Sequence, residues 1–318
     1  MNHHQAITDG PGLRLARPTP VRITEICPRD GFQNIKAFIP TAVKIAIIDR
    51  LIAAGARTLE ITSMVSPKAI PQMADAADII DHVSSHHPQV TPVVLVPNLK
   101  GAQRAHRQGI RHVSYVVSVS PAHNRANINR THDESLADLA AIVAEFPDIQ
   151  VVLTLATAFG CPFIGATSTA VMLSLIDAAV KMGIRGITLC DAIGVANPLQ
   201  TERVLQAIRA AFPALDIGMH MHNTHGMALA NMLVGLALGI TRFETANGGL
   251  GGCPFAPGAA GNIATEDAVN MFQRMGYQTG YDLGRLIESA KTIQRHIEPN
   301  LTGSLVRSRD YREFDFIG

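Results

Sequence analysis

His220 and His222 are the strongest chemical signal in this sequence of 318 residues. They stand two positions apart in a predicted strand, so both imidazoles point to one face, while Met219 and Met221 point to the other. Two imidazoles on one face can chelate a cation, with a carboxylate such as Asp30 completing the site. The alternative interpretation is that both histidines belong to a polar network in the core.

Acidic residues at three other predicted strand ends favour a functional site. Asp30 follows the first strand, Glu60 lies in the second and Asp191 follows the sixth. Each alone could cap a helix or form an ion pair, but with the histidines they are expected to form a ring of ligands and acids around one mouth. Mixed nitrogen and oxygen ligands predict Mg2+ or Mn2+, with Zn2+ as an alternative.

Three further residues have side chains suited to this chemistry. Arg29 could form a surface ion pair or could stabilise a developing enolate or thioester oxyanion. Cys253 lies in a glycine-rich loop, where a thiol could act as an acid or a base, although a structural role is the alternative. Asn262 follows that loop and can offer an amide oxygen to a metal.

Short β-branched runs alternate with amphipathic stretches and must position these residues. The predicted strands are 21–27, 58–62, 90–96, 112–119, 150–156, 186–190, 216–221 and 242–245. The predicted helices are 41–54, 71–83, 101–108, 133–144, 168–182, 199–211, 228–237 and 265–275. Eight such units favour an α/β fold of the closed (β/α)8 TIM-barrel type over an open sheet, which would carry a GxGxxG turn after its first strand.

Composition limits the possible classes of protein. Hydrophobic residues make up 47% and charged residues 17% of the chain, which excludes disorder, and a net charge of +1 argues against binding to nucleic acid or an anionic membrane. We expect a flexible tail at residues 1–20, then a single barrel domain at 21–318 that includes extra helices from about Tyr281. The four cysteines show no CxxC spacing and are expected to be reduced thiols in a cytoplasmic protein.

Four motifs together resemble the 3-hydroxy-3-methylglutaryl-CoA (HMG-CoA) lyase family, within the metal-dependent lyase and Claisen-condensation TIM barrels. They are PRDGFQN (28–34), SMVSPKAIPQMAD (63–75), VPNLKG (96–101) and GLGGCPFAPGAAGNIATED (249–267). The resemblance covers nearly the whole chain from Val21 and implies retro-Claisen cleavage of HMG-CoA to acetoacetate and acetyl-CoA, a role in leucine degradation and a divalent cofactor, Mg2+ or Mn2+.

The resemblance also implies residue roles. The metal ligands would be Asp30, His220, His222 and Asn262, and the catalytic residues would be Arg29, Glu60, Asp191, His220 and Cys253. Gln33 and Lys36 are expected to contact the acyl-CoA substrate, and a homodimer is expected.

Several positions depart from the family pattern and leave the acyl group open. The seventh strand ends in HNTHG, with Asn223 and His225, where the family usually has HDTYG, and Ala192 replaces a threonine after the sixth. These changes would alter polar contacts around the acyl group. The alternatives are the same chemistry on a related acyl-CoA, a Claisen-condensing synthase, or a metal-binding barrel without catalytic activity.

Overall fold

A computed structural model describes residues 19–252 and 261–308 and confirms the predicted barrel. Eight parallel strands close in sequence order, each hydrogen-bonded to the next and β8 to β1. The strands are β1 Arg22–Glu25, β2 Thr58–Ser63, β3 Thr91–Leu95, β4 His112–Ser118, β5 Gln150–Ala156, β6 Gly186–Asp191, β7 Asp216–Met221 and β8 Arg242–Thr245. The expected tail falls mainly on residues 1–18, outside the described residues.

Helices surround the barrel and extend past its last strand. They are α1 Thr41–Ala53, α2 Ala76–His86, α3 Leu99–Arg107, α4 Pro121–Ile128, α5 His132–Glu145, α6 Thr169–Lys181, α7 Pro198–Ala211, α8 Ala228–Ala237, α9 Thr265–Arg274, α10 Leu283–His296 and α11 Ser304–Arg307. In the described part of the chain, none of them has the length and hydrophobicity needed to cross a membrane.

Three local predictions need correction. The first strand ends at Glu25, because the chain turns into a π-helical segment at Cys27–Gly31. The predicted helix at 71–83 is a 3-10 turn at Pro71–Met73 followed by α2. Helix α4 was not predicted, since its sequence PAHNRANI lacks an apolar face, and it is fixed instead by Pro121 in its first turn and by the Ser120 hydroxyl, which accepts from the His123 amide.

The barrel interior below the mouth is charged and needs one small residue. Arg242 on β8 points inward, where its Nε donates to Asp216 Oδ2 (3.1 Å) and its Nη1 donates to Thr188 Oγ1 (3.0 Å). A Cβ at Gly218 would lie 2.6 Å from the Arg242 guanidinium carbon. Glycine on this face of β7 therefore leaves room for the guanidinium.

Two buried carboxyl groups hold the segment after β8, one from β1 and one from α9. The Glu25 carboxylate accepts from Thr265 Oγ1 (2.7 Å) and from the backbone amides of Cys27 (2.9 Å) and Asn247 (3.0 Å). Glu266 Oε2 accepts from Asn247 Nδ2 and the Gly248 amide, each at 3.0 Å. Burial, partly opposed by these hydrogen bonds, raises the pKa of Glu25 to about 7 and that of Glu266 to about 8.

Raised carboxyl pKa values predict a loss of stability at high pH. The folded state holds these protons more tightly than the unfolded chain. The stability that the two groups contribute is therefore fully present below about pH 4.5 and is lost as pH rises through 7 to 8. Each such group contributes a slope of up to about 1.4 kcal/mol per pH unit. Glu266→Gln, which keeps the acceptor oxygen, should reduce the slope measured by urea unfolding at pH 5 to 8.5. The exposed Glu202→Gln is the control, and equal slopes in wild type and Glu266→Gln would contradict the prediction.

Candidate functional site at the barrel mouth

Five of the predicted site residues line a cavity of about 410 Å3 at the carboxyl ends of the strands. The residues that matter for its chemistry lie in the segment after β1 and at the carboxyl ends of β6 and β7. They are Arg29, Asp30, Gln33, Cys190, Ala192, His220 and His222.

The π-helical segment after β1 presents two consecutive charged residues to this cavity. The backbone amides of Arg29 and Asp30 both donate to the Ile26 carbonyl, at 3.1 and 2.8 Å. A strand would send neighbouring side chains to opposite faces, whereas this tight turn brings both to the mouth. Because one carbonyl accepts from both amides, Arg29 and Asp30 are held side by side and can act as a pair.

Asp30 lies between cationic and amide groups. Its Oδ1 accepts from Arg29 Nη1 (2.6 Å) and Gln33 Nε2 (3.1 Å), and its Oδ2 accepts from Asn262 Nδ2 (2.6 Å). Burial would raise the pKa of Asp30, but Arg29 and the two histidines outweigh burial and lower the pKa to about 2. Asp30 is therefore an ionised carboxylate at neutral pH.

Arg29 is held on its other side by Glu60 from β2. The Arg29 Nε donates to Glu60 Oε2, and the Ser114 hydroxyl of β4 donates to Glu60 Oε1. Both ions are buried, so each depends on the other for charge compensation. This fixes the direction of the guanidinium at the cavity wall.

The two histidines face the same point, as the strand period predicts. His220 Nε2 and His222 Nε2 are 3.2 Å apart, and His220 Nδ1 donates to Glu244 Oε2 at 2.9 Å. Burial and the neighbouring His220 lower the pKa of His222 to about 4. Burial also disfavours charge on His220, but Cys190 and Glu244 outweigh it and raise the pKa of His220.

Asn262 reaches the site from the segment after the glycine-rich loop. Its Nδ2 donates to Asp30 and to the Leu250 carbonyl (3.0 Å), while its Oδ1 is buried without a hydrogen-bond partner in the described structure. Gly251, with φ of 100°, makes this approach possible, because a Cβ there would lie 2.7 Å from Asn262 Nδ2 and 3.1 Å from Asp30 Oδ2.

These residues fit a divalent cation. The donor set is one ionised carboxylate, one amide oxygen and two imidazole nitrogens, a mixture that suits Mg2+, Mn2+ or Zn2+. Among the described residues, Asn262 Oδ1 and His222 Nδ1 are buried polar atoms without a hydrogen-bond partner. An unsatisfied buried acceptor costs free energy, and a cation bound at this site would give Asn262 Oδ1 a partner.

Three predicted residues are placed differently. Asp191 does not line the cavity, because its carboxylate accepts from the backbone amides of Val195 (3.1 Å) and Ala196 (2.9 Å) and so holds the loop after β6. Lys36 is exposed and is not a lining residue either. Cys253 lies outside the described residues.

Cys190 and Glu244 belong to the site and were not predicted. Cys190 pairs in register with His220, and its sulfur lies within 4.8 Å of one ring nitrogen of His220 and of His222. Glu244 is in register with His220 on the other side. The strand register identifies both residues, because residues paired with an inward-facing histidine on neighbouring parallel strands point to the same face of the sheet.

The chain matches known proteins over most of its length. The HMGL-like family profile matches residues 20–293. This chain belongs to the HMGL-like family. It is 42% identical to a Bacillus subtilis protein named hydroxymethylglutaryl-CoA lyase YngG, covering 87% of this chain and 93% of that one. The mouse mitochondrial hydroxymethylglutaryl-CoA lyase is 40% identical, covering 87% and 85%.

Solved structures support the HMGL-like assignment. The crystal structure of the Bacillus subtilis HMG-CoA lyase superposes with a TM-score of 0.87 at 41% identity, covering 91% of this chain and 97% of that one. An Acinetobacter baumannii HMG-CoA lyase in complex with coenzyme A and 3-methylmalate also gives 0.87, at 38% identity, covering 94% and 98%. The HMGL-like lyases imply a divalent metal.

Glu244 is expected to set the metal affinity through His220. Glu244→Gln removes the charged acceptor of the Nδ1 proton, and loss of such a partner typically weakens metal binding about 10–100-fold. Mn2+ titration followed by electron paramagnetic resonance measures the change, with Glu202→Gln as the exposed control. An unchanged Mn2+ affinity in a folded Glu244→Gln protein would refute this role.

Gly251 is expected to be required for the position of Asn262. Gly251→Ala should displace the Asn262 amide from Asp30 and weaken Mn2+ binding at least about tenfold, since the added carbon occupies that space. Gly109→Ala is a matched control, because Gly109 also has a positive φ (81°) but has open space around its Cβ position. Equal Mn2+ affinities in the two variants would show that the close approach is unimportant.

Proposed function

We propose that this chain is a divalent-metal-dependent carbon–carbon lyase that cleaves HMG-CoA to acetoacetate and acetyl-CoA. The observation that carries the proposal is the convergence of Arg29, Asp30, His220 and His222 on one cavity, with Asn262 hydrogen-bonded to Asp30 at its edge. They converge in a chain about 40% identical to proteins named hydroxymethylglutaryl-CoA lyase.

The proposed metal ligands are Asp30, His220, His222 and Asn262. A bound Mg2+ or Mn2+ would supply Lewis-acid stabilisation of the substrate's tertiary alkoxide. Asp30 contributes the fixed negative charge, and the Asn262 contact with Asp30 keeps the segment after the glycine-rich loop against the mouth.

The proposed reaction begins with removal of the substrate's hydroxyl proton. We propose that the base is a carboxylate at the mouth or a group reached through His220, whose Nδ1 proton is held by Glu244 and whose Nε2 would be occupied while it ligates a metal. The electron pair of that O–H bond forms the ketone of acetoacetate as the C2–C3 bond breaks. The electrons of the broken bond pass to the thioester as an enolate.

Arg29 is proposed to hold the enolate oxygen. Its guanidinium lines the cavity and is oriented by Asp30 and Glu60, so it is in place before charge develops. Addition of a proton to the enolate carbon then gives acetyl-CoA. We assign this proton to Cys253 from the sequence resemblance, and Asp191 is proposed to support the site by holding the loop after β6.

The remaining proposals concern the substrate and the setting. Gln33 lines the cavity, and we propose that the part of its amide that is not bonded to Asp30 contacts the acyl group. Lys36 is exposed, and we propose that it contacts only the CoA part of the substrate. Ala192 lines the cavity and favours, as a second candidate, the same cleavage on a related 3-hydroxy-3-substituted acyl-CoA. We also propose that the protein is a cytoplasmic homodimer and that it acts in leucine degradation.

Cleavage of HMG-CoA by the purified protein tests the proposal directly. With Mg2+ or Mn2+, acetoacetate should form, a chelator should stop the reaction, and returned metal should restore it. Arg29→Gln should lower kcat by about 10²–10³-fold, the usual effect of removing an oxyanion donor. Arg203→Gln, an exposed substitution on α7, should leave kcat unchanged.

The possible failures of this assay have separate meanings. A folded, metal-loaded protein that releases no acetoacetate would contradict HMG-CoA as substrate, and cleavage of another 3-hydroxy-acyl-CoA would then support the second candidate. Full activity after complete metal removal would contradict the proposed role of the metal site.

A further inference from the structure

A second cluster of metal-binding side chains lies outside the barrel mouth. Asp49 on α1, His82 on α2 and His87 directly after α2 meet on the outer helical layer. His82 Nε2 and His87 Nε2 each lie 2.8 Å from the same oxygen, Asp49 Oδ1. One atom from each residue falls within 4.8 Å of the other two.

The end of α2 builds this arrangement. His87 is five positions after His82, and in a continuous helix its side chain would project about 140° away around the axis. Instead the helix ends at His86, and His87 takes φ of −130° and ψ of 59°. The His87 ring therefore turns back beside His82, with ring centroids 5.7 Å apart, and both reach the carboxylate of the neighbouring helix.

The electrostatic setting favours a cation. Burial tends to raise the pKa of Asp49, but hydrogen bonds from His82 and His87 outweigh it and lower the pKa, so the carboxylate is ionised. The cluster also lies at the carboxyl-terminal part of α1 and α2, where the helix dipoles place partial negative charge.

The distances suit a small cation. Tetrahedral Zn2+ with bonds of about 2.0–2.1 Å separates its ligand atoms by about 3.3 Å, so the two 2.8 Å contacts need to open by only about half an ångström. The side chains of His82 and His87 are each 19% exposed and that of Asp49 is 42% exposed, so water can complete the coordination.

We propose that Asp49, His82 and His87 form a Zn2+ site that joins α1 to α2. Two imidazoles and one carboxylate suit Zn2+, whereas Mg2+ prefers oxygen ligands. Zn2+ coordination uses the Nε2 lone pair of each imidazole, so the protons that Nε2 shares with Asp49 in this structure would move to Nδ1 or leave when the ion binds.

This site is separate from the proposed catalytic metal. Helix α2 runs from the end of β2 back to the start of β3, so its last residues lie at the amino-terminal end of the barrel, opposite the mouth. The site joins helices whose ligands are 33 and 38 residues apart in sequence and is complete only in the folded chain. Zn2+ binding should therefore stabilise the fold without entering the reaction.

Zn2+ stoichiometry tests the proposal. We would dialyse wild type and His82→Gln/His87→Gln against micromolar Zn2+ with excess Mg2+ and measure bound zinc by elemental analysis. Glutamine keeps donors near Asp49, so the double variant should fold. It should bind one Zn2+ fewer per chain than wild type. Its Tm should also rise less than that of wild type when Zn2+ is added.

Two controls separate this site from others. His106→Gln removes a histidine whose Nε2 pairs with the Asp148 carboxylate (3.1 Å) outside the cluster, so it should leave the bound zinc unchanged. In a His222→Gln background, which weakens the mouth site, the outer equivalent should remain and should disappear only when His82 and His87 are also replaced. Equal zinc content in wild type and the His82→Gln/His87→Gln variant would overturn the proposal.

Discussion

The ionised carboxylate of Asp30 is the feature on which the mouth of the barrel depends. A buried charge is tolerated only with close partners, and Asp30 has Arg29, Gln33 and Asn262 within hydrogen-bond distance. Each partner has a structural consequence. Arg29 is oriented, the segment after the glycine-rich loop is held through Asn262, and the π-helical turn is fixed against the cavity. Removing the Asp30 charge would therefore disturb the whole mouth as well as one ligand.

A second chain of polar contacts supports the histidines from below. Arg242 pairs with Asp216 and lies 4.0 Å from Glu244, and Glu244 accepts from both Thr188 and His220. A carboxylate on Nδ1 keeps a proton on that nitrogen, so Nε2 is the nitrogen that faces the cavity and can ligate a metal. The tautomer at the mouth is therefore determined by charges in the barrel interior. This arrangement requires a glycine on β7, because a larger residue there would not leave room for the guanidinium of Arg242.

Regular features of the sequence predicted the fold well. The bounds of β5, β7, β8 and α8 agree with the prediction, because β-branched runs and helix periodicity are local signals. Helix α4 and the π-helical turn depend on capping and on one carbonyl, which no periodic pattern reveals. Alternation along β6 places Cys190 on the inward face, level with His220, and Asp191 on the other face.

The departures from the family pattern lie in two places, one at the cavity and one in a loop, and only a change at the cavity can alter contacts with the substrate. Ala192 lines the cavity, but His225 is exposed and Asn223 Oδ1 accepts from the Ala228 amide (3.3 Å) at the start of α8. The changes after β7 thus alter a loop, whereas the change after β6 removes a hydroxyl from the cavity wall. A site that hydrogen-bonds a substrate group rejects analogues without that group far more strongly than an apolar wall rejects an extra methylene. In the proposed reaction, Ala192 is therefore expected to relax selection on the acyl group, while Arg29, Asp30 and the histidines keep their proposed roles.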